Sequence, residues 1–168
     1  MTIYRSRMGE VAVPDCSIAE LVLAGLARRA EAQPAAPALA CGVTGASLTA
    51  AELGSRIRRL AGGLAARGFG PGSVAALMAP NMPDYATCFH GPLLAGGTVT
   101  TANPTYTADE LRHQLTDAGA EILFTVPQAV ALATEAARGT AVTEVVVMGE
   151  AEGGIPRDTL LGEAMAGR

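Results

Sequence analysis

Lysine is missing from this chain. All twelve basic residues among its 168 are arginine, which excludes a P-loop lysine, a Schiff-base lysine and a lysine general base. Tryptophan is also missing, and there are only three tyrosines and three phenylalanines. The core must therefore be leucine, valine and alanine, with alanine lining close helix–sheet contacts. Cys16, Cys41 and Cys88 are odd in number and widely spaced, with no C-x-x-C pair. That argues against a disulfide framework or a zinc site and for free thiols in a reducing cytosol. No apolar run approaches the ~18 residues needed to cross a bilayer. The N-terminal stretch has arginines but no apolar h-region, so it does not read as a secretory signal. A soluble, cytoplasmic protein with no transmembrane segment is expected. The net charge of -4 gives no reason to expect a nucleic-acid partner, because phosphate contacts need clustered basic residues.

The residues that are present alternate between two periods. Ser17 with Glu20, Thr49 with Glu52, and Thr107 with Glu110 are three capping boxes, each satisfying two orphan N–H groups at a helix start. After the first, Ile18, Leu21, Val22 and Leu26 recur at helical spacing and predict a buried face; Pro34 stops that helix. A short strand over 38–41 and a glycine-bracketed turn follow. Leu53, Ile57, Leu60, Ala61 and Leu64 mark the second helix, which Gly68 ends in a positive-φ position. Residues 73–79 form an almost wholly apolar run, suited to a strand covered on both faces. Pro83 opens a third helix near its first position. Pro92 should kink or split that helix, and Gly96-Gly97 ends it. Strands are predicted over 98–102, 121–126 and 142–148, with helices after Thr107 and over 127–138. Short connections between about five helix–strand alternations argue for an α/β fold: a layered, mostly parallel sheet with helices on both faces. Residues 1–16 read as an N-terminal arm, 17–148 as one α/β unit, and 149–168 as a flexible tail, weakly helical near Leu160 and Leu161.

Each candidate for chemistry has a plainer explanation. Gly68-Phe69-Gly70-Pro71-Gly72 closes a helix and opens a strand, the reverse of a dinucleotide fingerprint. Cys88 with His90 or His113 could form a nucleophile–base pair, but residues two apart on a helix diverge. Two histidines and scattered carboxylates show no metal-ligand spacing. Asn81 and Asn103 follow strands at their C-terminal ends, where open α/β sheets place ligands, yet asparagine beside proline is equally a turn-former. Asp84, Asp109 and Glu110 sit in first turns, where they compensate helix dipoles. Asp117 is on an exposed face, and no carboxylate pair suggests acid–base work.

Several stretches nevertheless resemble one family in order and spacing. Leu48-Thr49-Ala50-Ala51-Glu52-Leu53 resembles the L-T-x-x-E-L opening of the AMP-forming adenylate ligases. Gly70-Pro71-Gly72-Ser73-Val74 leading to Pro80-Asn81 is similar to their G-x-G-D-x-V…N pattern, with Ser73 replacing the usual aspartate. Leu94-Ala95-Gly96-Gly97 resembles the second core motif. Thr101-Ala102-Asn103-Pro104-Thr105-Tyr106-Thr107, with Glu110-Leu111 and Gln114-Leu115, is similar to the N-P-x-Y-x-x-x-E-L-x-x-Q-L run of the acyl-CoA synthetase and 4-coumarate–CoA ligase branch.

The resemblance implies the first part of the large N-terminal domain of an acid–CoA ligase. That family uses ATP, Mg2+ and coenzyme A to convert a small carboxylic acid, aromatic or fatty, to its acyl-CoA through an acyl-adenylate. Its phosphate loop, its adenine and ribose motifs and its adenylation lysine lie later than the matched stretch. The resemblance therefore carries over no catalytic, cofactor-binding or metal-binding residue. This chain alone is expected to be inactive and to bind none of the cofactors tightly. A parallel sheet cut after its early strands should leave an open edge and an uncovered apolar face. The expected partners are the rest of a ligase chain or a second copy. The alternatives are a non-catalytic α/β binding or interaction module and an unrelated nucleotide-binding domain.

Overall fold

The computed structural model describes residues 12–148 and the backbone of Ile155–Pro156. Residues 1–11 of the expected arm (1–16), and the tail of 149–168 expected to be weakly helical near Leu160 and Leu161, lie outside the described residues, apart from that two-residue strand. The elements run α1 (Ile18–Ala32), β1 (Pro37–Ala40), β2 (Ser47–Thr49), α2 (Ala50–Ala66), β3 (Val74–Met78), α3 (Pro83–Leu94), β4 (Thr98–Ala102), α4 (Ala108–Ala118), β5 (Ile122–Thr125), α5 (Val130–Ala137), β6 (Glu144–Val147) and β7 (Ile155–Pro156). A 3₁₀ turn, Pro127–Ala129, precedes α5.

The three capping boxes form as expected. In each, the N-cap hydroxyl accepts from the backbone N–H three residues on, and that residue's carboxylate accepts from the N-cap backbone. The Thr49 N–H reaches Glu52 Oε2 at 2.8 Å. Gly119 ends α4 in the left-handed region at φ 62°, and Gly68 follows α2 at φ 86°.

The sheet order is β4-β3-β5-β6-β7, every pair parallel. Its core is two-sided because side chains alternate along each strand. Ala75 and Leu77 of β3 and Phe124 of β5 pack on one side with Leu60 and Leu64 of α2. Ala76, Met78 and Leu123 pack on the other with Leu111 and Leu115 of α4 and Ala133 and Ala136 of α5. Alanine in β3 lets both helical layers approach closely. Each fully buried leucine or isoleucine contributes roughly 1.5–3 kcal/mol, so these layers outweigh the caps, at about 1 kcal/mol each. Leu48 of β2 and Leu53 and Ile57 of α2 build a smaller cluster with Leu23 and Leu26 of α1 and Leu39 of β1.

Four expectations change. Ile18 and Leu21 are 60% and 44% exposed, and Ala19 is the buried residue of α1. That helix rides on the outside of α2 and α3, so only part of its apolar stripe finds a partner. Residues 47–49 form a strand, paired antiparallel with β1, which local pattern does not reveal in a segment this short. Pro92 does not split α3, which is helical from Pro83 to Leu94. The missing N–H falls in the last turn, where one lost bond is tolerated. The segment after Pro127 is a 3₁₀ turn and then a shorter helix. Helices cover both faces over β3 and β5. On α1, Ile18 and Leu21 remain exposed apolar residues.

Candidate functional site

The order β4-β3-β5 reverses direction at β3. From β3 the chain passes through α3 to β4 on one side, then through α4 to β5 on the other. Open α/β sheets form a crevice at the carboxyl ends of strands at such a point. The crevice is present here, with a volume of about 630 Å³. The turn after β3 supplies Pro80, Asn81 and Met82, the end of β5 supplies Val126, Pro127 and Gln128, and Met148 follows β6. The β1–β2 hairpin closes over it with Cys41, Val43, Thr44 and Leu48. Leu48, Val126 and Met148 are themselves core residues, 4%, 8% and 5% exposed, so the floor of the cleft is continuous with the hydrophobic interior.

Its polar complement is small and largely committed. Arg56 Nη1 donates to Asp84 Oδ1 at 2.8 Å, tying α2 to the first turn of α3. The cleft's arginine therefore faces a carboxylate. The N-terminus of α3, a ready anion site in other proteins, carries Pro83, which has no N–H, and Asp84, which repels an anion. These residues do not suit a triphosphate or a magnesium-bound nucleotide. Among the described residues no three His, Cys, Asp or Glu side chains gather as a metal site.

The other candidates separate. Asn103 Oδ1 accepts from the Thr105 N–H at 3.0 Å and from Thr105 Oγ1 at 2.9 Å, which is the turn-forming role. Asn81 differs: it is exposed and lines both the main cleft and a second hollow toward Asn103. Cys88 is fully buried in the core on the α2–α3 side. His90 packs edge-to-face on Phe89, with centroids 5.1 Å apart. Burial lowers its pKa below the ordinary imidazole value, and its Nδ1 has no partner among the described residues. His113 is exposed and lines a shallow groove on α4 with Tyr106, Asp109, Glu110 and Asp117. Asp109 pairs with Arg112 at 2.6 Å, and Glu110 is held in its capping box.

Residues of the motif spacings have structural occupations. Gln114 Nε2 donates to Thr100 Oγ1 at 2.8 Å and to the Thr101 carbonyl at 3.0 Å, so it satisfies part of the edge strand β4. A Cβ on Gly97 would lie 2.3 Å from Phe69 Cε1, so only glycine admits the ring that follows α2. Sequence reasoning missed the cleft and the Arg56–Asp84 pair. Both depend on residues far apart in the chain, and no local pattern announces them.

Comparison with known proteins adds a family. The family described as AMP-binding enzyme matches residues 26–163. A 4-coumarate–CoA ligase 3 from Oryza sativa subsp. japonica is 34% identical over 166 residues, covering 98% of this chain and 29% of the relative. A benzoate CoA ligase from Burkholderia xenovorans LB400 superposes with a TM-score of 0.72 at 25% identity, covering 84% of this chain and 28% of that one. A red-emitting luciferase from Phrixothrix hirtus superposes with a TM-score of 0.81 at 16% identity, covering 88% and 28% respectively, and shows the fold alone. The chain thus spans under a third of the length of these proteins.

Proposed function

This chain belongs to the AMP-binding enzyme family, and from that premise we propose that it is the N-terminal part of an acid–CoA ligase of the 4-coumarate–CoA ligase kind. The complete enzyme would join a carboxylate to ATP, releasing pyrophosphate, and pass the acyl group from the acyl-adenylate to coenzyme A, releasing AMP. Aromatic acids such as 4-coumarate and fatty acids are the substrate classes proposed. The carrying observation is the similarity to a 4-coumarate–CoA ligase along 98% of this chain. The N-P-x-Y…Q-L run supports it by falling on β4, its turn and α4, where Asn103 and Gln114 hold backbone.

We assign the α/β unit to residues 17–148, with an arm before it and a tail after it, in a cytoplasmic protein. The 168-residue chain alone does not adenylate. Transition-state charge on phosphates needs preorganised donors and metal, whereas the main cleft offers an arginine paired with a carboxylate. Its partners are the rest of a ligase chain or a second copy meeting it at the open edge of β4. A second reading, a non-catalytic interaction module, draws on the cleft's apolar floor. ATP–pyrophosphate exchange by the purified chain, with hydroxycinnamic, benzoic and fatty acids, tests the first. No exchange above blank and no ATP binding by calorimetry are expected. An acyl-adenylate formed by the chain alone would overturn the inactivity, and stoichiometric ATP binding would favour a nucleotide module.

A further inference from the structure

We draw no further inference here: the strongest candidate, the acidic groove along α4 lined by Tyr106, Asp109, Glu110, His113, Gln114 and Asp117, has Asp109 committed to Arg112 and Glu110 to its capping box, and none of its lining side chains is both buried and unpartnered, so it is a cluster of carboxylates with no second feature that points to a ligand.

Discussion

At the scale of single residues, the fold depends on contacts between positions distant in sequence. Gly91 of α3 lies against Leu60 of α2, where an added Cβ would stand 2.7 Å from Leu60 Cδ2. Gly97 lies under the Phe69 ring, where an added Cβ would stand 2.3 Å from Phe69 Cε1 and 3.0 Å from the Ser73 carbonyl oxygen. Both neighbours are buried parts of the core, so neither can swing away freely. Gly97→Ala should therefore destabilise by about 1–3 kcal/mol, the ordinary cost of overpacking, read as a lower urea midpoint. Adding Phe69→Leu should recover part of that loss, giving a double variant more stable than the two single effects predict. A Gly97→Ala protein with an unchanged midpoint would show that the loop absorbs the methyl. The sequence marks Gly96-Gly97 correctly as the end of a helix. It does not show the ring above, because Phe69 arrives from the far end of α2.

Elements were legible where their cause is local. Ser17, Thr49 and Thr107 each stand three residues before a glutamate, and all three caps form. The inner face of α1 was not legible, because periodicity shows that Ile18 and Leu21 are apolar but not how much partner surface reaches them. The strand of residues 47–49 exists only through its pairing with Pro37–Ala40. The caps also make a pH prediction. Backbone N–H donation from Ser17, Thr49 and Thr107, then hydroxyl donation, lowers the pKa of Glu20, Glu52 and Glu110 below 4.5. A carboxylate whose folded pKa is depressed stabilises the fold above its unfolded pKa, and that contribution disappears as pH falls through the folded value. Melting temperature should thus drop as pH falls below about 4.5, the reference value for these groups. A Glu20→Gln/Glu52→Gln/Glu110→Gln variant should lose less over that interval, since glutamine still reaches the N-cap N–H but does not titrate. Identical acid slopes for the two proteins would assign the loss to other carboxylates. Thr107→Ala, which removes one cap outright, should cost about 1 kcal/mol at neutral pH.

At the scale of the molecule, alternating periods and short connections were enough to read a parallel sheet between helical layers, and the ordered motifs were enough to read the family. Strand order was not readable, and the cleft follows from strand order, since it opens where β4 and β5 flank β3 on opposite sides. Among the described residues, the same order leaves β4 with a strand partner on one side only. Gln114 takes up the Thr101 carbonyl there, and Thr98 and Thr101 are exposed. The edge carries no lysine and no proline, two devices that discourage edge-to-edge pairing. On this argument the isolated chain self-associates through β4, and its weight-average mass in sedimentation rises with concentration. Thr101→Lys should suppress that rise, because a charge on the open edge disfavours a second strand, without lowering the melting temperature of an exposed site. Ile18→Glu, on the open side of α1, is the comparison: if it abolishes association and Thr101→Lys does not, the contact runs through α1. A protein that stays monomeric at high concentration without either change would show that Gln114 and the threonines already close the edge.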